Sequence, residues 1–279
     1  MTFLVLLLTV AAYKILGWHF SARHDRWFVA LCDRLERLLL GAPRLTLLLA
    51  LLIPLGVVSM ALKLLGGWLF GFAGVLLQML ILAYALGRVN LFDQLQAYLH
   101  KWRSGDIQSA YHQAQNDFNL DAEFEADNDA NLHSKVCQGL VYQWFEQVFV
   151  IVFWYLLAGP LAALFMRLLS LYEKRKPAKT ALQLLHVLEW LPARLLTLTF
   201  AVAGNFTLCI KTCRKAIGDV GMPTAALLFN SSLAAIGLTE QELGNNSNEQ
   251  QASHLENLQA LLVRSLVVWM IFVALLVIF

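Results

Sequence analysis

Two apolar blocks, residues 45–65 and 68–86, constrain this chain more than any other feature of it. At 1.5 Å of rise per residue each is long enough to cross roughly 30 Å of hydrocarbon, and Gly66-Gly67 permits the tight turn between them. The pair reads as a transmembrane hairpin, with Pro54 and Gly56 as tolerated kinks in its first arm. Composition agrees: 59% of the 279 residues are hydrophobic and 14% charged, where soluble domains carry about 25% charge. Too little polar surface remains for water to be the only solvent.

The charged residues are placed as topology markers. Arg23, Arg26, Arg34, Arg37 and Arg44 precede the hairpin and Arg88, Lys101 and Arg103 come after it, so the positive-inside rule puts both flanks in the cytoplasm. A net charge of +2 and the lack of a continuous basic stripe exclude a nucleic-acid binder. Cys32, Cys137, Cys209 and Cys213 include no CxxC pair and read as reduced structural thiols; Cys209 and Cys213 lie one turn apart, but no nearby His or acid completes a metal set.

The chain divides into seven segments. Residues 1–18 form an uncleaved anchor helix, since no Lys or Arg precedes the apolar run and the cleavage motif is weak. Residues 19–44 hold an amphipathic helix with Trp27, Phe28, Leu31, Leu35, Leu38 and Leu39 on one face; it lies on the membrane surface or packs against other helices of the chain. The hairpin occupies 45–87. Residues 88–139 form a cytoplasmic helical insertion with an acidic loop around Asp121, Glu123, Glu125 and Asp127 that lacks the Gly and closing Glu of an EF-hand. In 140–206 an apolar block is interrupted at Gly159-Pro160 and leads into Glu173, Lys174, Arg175 and Lys176. A single crossing would carry that basic cluster outside, so two half-helices meeting at the break are expected, then a helix pair around Pro192. Residues 207–260 end in a Gly, Asn, Ser and Gln-rich stretch that reads as a flexible cytoplasmic linker, and 261–279 is a last span. The expected fold is an all-α integral membrane protein, a multi-span bundle with amphipathic and broken segments and cytoplasmic helical insertions.

Ionisable groups inside apolar segments are costly, which makes Glu146, Arg167, Glu189 and Arg194 candidate ligand- or partner-binding residues, with Gln143 and His186 beside them. The signs balance, so the same residues could equally be two buried ion pairs that hold helices together. Phosphate-cradle, zinc-protease, nucleophile-elbow and dinucleotide motifs are all missing, and no metal site or cofactor is predicted. A transport role finds no internal repeat of the interrupted segment to support it.

The block from 142 to 206 carries a resemblance, through Trp144-Phe145-Glu146, Phe153-Trp154-Tyr155, Ala158-Gly159-Pro160 and Glu189-Trp190-Leu191-Pro192-Ala193-Arg194-Leu195. It looks like the AmpE family of bacterial inner-membrane proteins, and the terminal apolar helices are similar as well. That resemblance implies a multi-pass protein of the bacterial inner membrane that acts in signalling linked to β-lactamase induction, with a ligand or protein partner and no enzymatic activity. Homo-oligomers remain open.

More distantly the block resembles the CbiB/CobD cobinamide synthases, which use Mg and ATP to form an amide. Their acid falls on Glu146, their Arg on Arg167 and their Pro-Ala-Arg on Pro192-Ala193-Arg194. Their Glu-Asn pair falls on Tyr142 and Gln143, and of their Asn-Thr-x-Asp-Ser-Met run only Glu173 stays acidic. This resemblance implies a retained scaffold with most of the ligase groups lost; a membrane-bound Mg- and ATP-dependent amide ligase is the alternative.

Overall fold

The computed structural model of the chain describes residues 5–6, 8–9, 25–39, 42–65, 72–86, 91–118, 129–218, 221–244 and 247–278. Most of the expected anchor helix, the Gly66-Gly67 turn and the acidic run 121–127 lie outside these. Among the described residues there is no strand, and five stretches are long and apolar enough to cross a membrane: Pro43–Leu65, Phe72–Arg103, of which 87–90 lie outside the described residues, Leu132–Ala158, Lys179–Ala203 and Asn248–Leu275. The chain is an all-α, multi-pass membrane protein. It divides into two compact units, one of Met1–Val89 with Val150–Leu188 and one of Asn90–Phe149 with Glu189–Phe279.

The first unit is built around a buried helix. Its elements are α1 (Arg26–Leu38), α2 (Pro43–Leu65) and α3 (Phe72–Leu86). They are succeeded, after the stretch that belongs to the other unit, by α7 (Val150–Ala158) and α8 (Pro160–Arg175). Helix α8 packs against α1, α2, α3 and α7, and its residues from Leu168 to Tyr172 are all buried. The break before α8 has a local cause. Gly159 takes φ 82°, which a Cβ disfavours, and Pro160 opens the next helix at a position where its missing N–H costs nothing. By contrast α2 exposes Leu48, Leu52, Val57, Met60 and Leu64, a surface that needs lipid.

An ion-pair clasp joins α1 to α8. Arg175 grips Glu36 with both terminal nitrogens, at 3.0 and 3.1 Å, and also donates to Asp33, while Lys176 stands 3.5 Å from Glu36. The hydrogen bond from Arg175, aided by the charges of Arg175 and Lys176, holds the Glu36 carboxyl below its ordinary value of 4.5. A depressed folded value means that the clasp contributes fully above 4.5 and is lost as the pH falls through the folded value. Backbone amides of α1 should therefore lose protection below pH 4.5 by at most about fivefold, the range of a partly exposed ion pair. Hydrogen exchange on the wild type and on Glu36→Gln checks this, since the variant should lack the pH-dependent part. Beneath the clasp the Cys32 thiol is fully buried, and burial pushes it up to about 11.

The second unit is organised on α6 (Asp129–Trp144), which continues through a π-helical turn, Phe145–Phe149. The other elements are α4 (Leu91–Arg103), α5 (Ile107–Asp117), the part of α9 (Lys179–Ala203) from Glu189 onward, α10 (Phe206–Gly218), α11 (Thr224–Ile236), α12 (Glu240–Gly244) and α13 (Asn248–Ile278). Helices α5, α11, α12 and α13 all pack on α6. Gly139 admits the α5 end: a Cβ there would stand 3.0 Å from both Cβ and O of Phe118. Behind it Tyr98 stacks on Trp102 at 5.7 Å and Trp102 on His133 at 6.0 Å.

The expected break at Gly159-Pro160 is present, and the helical stretch before it, Leu132–Ala158, is long and apolar enough to span. Two expectations are corrected. The helix pair around Pro192 is one helix of 25 residues. Pro192 leaves the carbonyl of Leu188 without its helical donor, and Trp154 Nε1 donates to that oxygen at 3.3 Å, so the strongest reason to break is removed. The polar stretch read as a linker is helical from Asn248. Ser247 and Gln250 cap it reciprocally: Ser247 N donates to Gln250 Oε1 at 3.1 Å and Gln250 N to Ser247 Oγ at 3.5 Å. Cys32, Cys137 and Cys209 are buried and in no disulfide among the described residues, and the side chain of Cys213 lies outside the described residues.

Candidate functional site

The π turn supplies the candidate site. A π turn adds a residue to a helical repeat and rotates the next stretch of helix about its axis, and such turns concentrate at functional sites. Gln143 just before the turn and Glu146 and Gln147 within it stand at i, i+3 and i+4 and are all buried, with exposures of 6, 7 and 5%. Bulky neighbours hold the turn. Trp144 meets Phe92 edge-on at 5.4 Å, and Phe149 meets Trp269 edge-on at 5.4 Å. The Trp269 indole in turn donates to Thr199 Oγ1 at 2.9 Å, which ties α13 to α9.

Gln143 is oriented by its amide nitrogen, which donates to the carbonyl of Asp117 at 3.0 Å and to Gln94 Oε1 at 3.3 Å. Its Oε1 is buried with no hydrogen-bond partner among the described residues, as are Gln147 Oε1 and the indole nitrogens of Trp144 and Trp190. These two acceptors and two donors, among others in the unit, are desolvated, at a cost of about 1–3 kcal/mol each unless something meets them.

Helix α9 contributes Glu189 and Arg194, 3% and 7% exposed. Tyr142 donates to Glu189 Oε1 at 3.0 Å, linking α6 to α9. Arg194 lies with its guanidinium carbon 4.0 Å from the centre of the Trp190 ring and donates to the Trp190 carbonyl at 3.2 Å. A cation held over an indole keeps its charge while burying its body. The chemistry on offer is recognition: one carboxylate steered by a phenol, a second in the π turn, a flat guanidinium, and unsatisfied amide and indole groups.

The six residues picked from sequence divide between the units. Gln143, Glu146, Glu189 and Arg194 belong to the second; Arg167 and His186 belong to the first. Arg167 stands 3.5 Å from Asp25, with side chains 4% and 8% exposed, and Tyr84 donates to the same carboxylate at 2.9 Å. His186 is half-buried on α9. Sequence reasoning missed Asp25 and Tyr84, which no spacing connects to Arg167. It also passed over Tyr142 as a partner of Glu189, and the cation–aromatic stack of Trp190 on Arg194, although the four-residue spacing of that pair was there to be read.

Comparison with curated proteins and with solved structures yields no match to either. A sequence model of the family described as regulatory signalling modulator protein AmpE matches residues 1–279, its full length, and the chain therefore belongs to the AmpE family.

Proposed function

We propose that this protein is an inner-membrane regulator in the response that leads to β-lactamase induction, and that the polar set around its π turn receives a ligand or a protein partner from the cytoplasmic side. The observation that carries the ligand reading is the polar set at the π turn, where Gln143, Glu146 and Gln147 are buried and two amide oxygens have no hydrogen-bond partner among the described residues. Groups of this kind are costly to bury unless something meets them. The family match supports the regulatory part.

The test replaces the chromosomal copy in a bacterium with inducible β-lactamase by Glu146→Gln or Arg194→Met. Losing a hydrogen bond to a charged group costs about 1.5–3 kcal/mol, so ligand affinity should drop about tenfold or more. Induced β-lactamase activity after a sub-inhibitory β-lactam should shift to the level of a deletion strain, while immunoblots show the variant still in the membrane. Equal loss of protein and signal would make the set structural, and unchanged induction would end the proposal.

A further inference from the structure

The charges of α1 divide by whether they have a partner, not by side: Asp33 shares the face of Arg26 and Arg37. Its acids, Asp33 and Glu36, are taken up by Arg175 and Lys176. Its arginines are not: Arg26, Arg34 and Arg37 are all exposed, and none makes an ion pair or a side-chain hydrogen bond among the described residues. Positions 26, 30, 34 and 37 succeed one another at four-, four- and three-residue spacing, so the three guanidinium groups form one outward stripe. The other described acids of this unit, Asp25 and Glu173, are engaged elsewhere.

Apolar side chains flank the stripe. Trp27 is 46% and Leu38 76% exposed. Arg44, exposed as well, stands at the start of α2, and α2 is long and apolar enough to span. Since α1 packs on α2 and ends just before it, the stripe sits at the end of a span, where hydrocarbon gives way to headgroups. A face that is cationic and apolar together suits neither water nor hydrocarbon. It suits the boundary of an anionic leaflet, where Trp and Leu enter the acyl region and guanidinium forks reach phosphate oxygens.

We propose that this face of α1 is a binding surface for anionic phospholipid headgroups, which it prefers over zwitterionic ones. A second copy of the chain fits less well, because the stripe would meet its own charge. Each basic residue near an anionic surface is worth a factor of about five in affinity, so removing all three should cost on the order of a hundredfold.

The experiment uses the full chain in phosphatidylcholine nanodiscs with and without an equal part of phosphatidylglycerol, and reads by mass spectrometry which lipid is retained when the protein is extracted. Wild type should retain phosphatidylglycerol in excess. The triple variant Arg26→Gln, Arg34→Gln, Arg37→Gln should lose that excess, the corresponding Arg→Lys triple should keep most of it, and high salt should erase it. Circular dichroism of the glutamine triple should match wild type, since exposed side chains alone are changed. No preference in the wild type, or an undiminished preference in the glutamine triple, overturns the proposal. Displacement of the lipid by inorganic phosphate would instead indicate a soluble-anion pocket. Disulfide formation between copies of Arg34→Cys in both lipid mixtures would indicate a self-association face, and either result also overturns it.

Discussion

Arg167→Met should destabilise the protein by about 3–5 kcal/mol, enough to deplete it from the membrane, because it takes the cation away from the buried Asp25 carboxylate. Arg167 and Asp25 are 3.5 Å apart with almost no exposure, and Tyr84 supplies the carboxylate with one neutral hydrogen bond. That bond cannot replace a cation. Asp25→Leu should do similar damage from the other side, by removing the carboxylate that faces the guanidinium at 3.5 Å. The double change Asp25→Leu, Arg167→Met should recover much of the loss, since two uncharged side chains owe nothing to desolvation. Thermal unfolding in detergent of the four proteins gives the coupling energy directly. Single variants within about 1 kcal/mol of wild type would show that the pair is weak. A stable but inactive double variant would show that the pair serves signalling as well as folding.

Gly204→Ala should cost about 2–5 kcal/mol, much more than its single methyl group suggests. An added Cβ would stand 2.5 Å from the carbonyl oxygen of Ala235 and 2.8 Å from its Cβ. The first is backbone and cannot rotate aside. The same oxygen accepts from Asn205 N at 2.7 Å, and this bond ties the end of α9 to α11. Relief of the clash must separate the two helices, adding a lost hydrogen bond to the overpacking strain. Gly56→Ala is the control: an added Cβ there has nothing within 4 Å, and the helix should gain about 0.5–1 kcal/mol. Thermal midpoints moving in opposite directions would confirm the contrast. Equal tolerance of both changes would mean that α9 and α11 can part freely.

The break at Gly159-Pro160 was legible in the sequence because its cause is local: a residue that accepts positive φ, then one that starts a helix well. Pro192 gave the same kind of signal and misled, since its effect depends on whether anything reaches the carbonyl of Leu188. Trp154 does, from another helix. The Ser247 and Gln250 cap was also present in the sequence as Ser-x-x-Gln. The Gly and Asn before it, which argue for a loop, outweighed it in a reading by composition. Within the candidate site, Glu146, Glu189 and Arg194 stood out as charges in apolar surroundings, and Gln143 as their neighbour. The spacing of Gln143, Glu146 and Gln147 on one helical face was there as well, whereas the π turn itself left no such trace, because one added residue in a helical repeat changes no residue type.

The sequence alone determined the solvent, the helical class and the family. Each is a sum over many residues: a block of twenty apolar side chains prefers hydrocarbon wherever it packs, and its backbone must then bond to itself as helix. The tertiary structure decided which charge meets which. Asp25 answers Arg167, Glu36 answers Arg175, Tyr142 answers Glu189, and the arginines of α1 are left facing outward. Electrostatic partnership depends on a distance of a few ångströms between side chains of different helices, and the spacing of residues along a chain does not contain that distance.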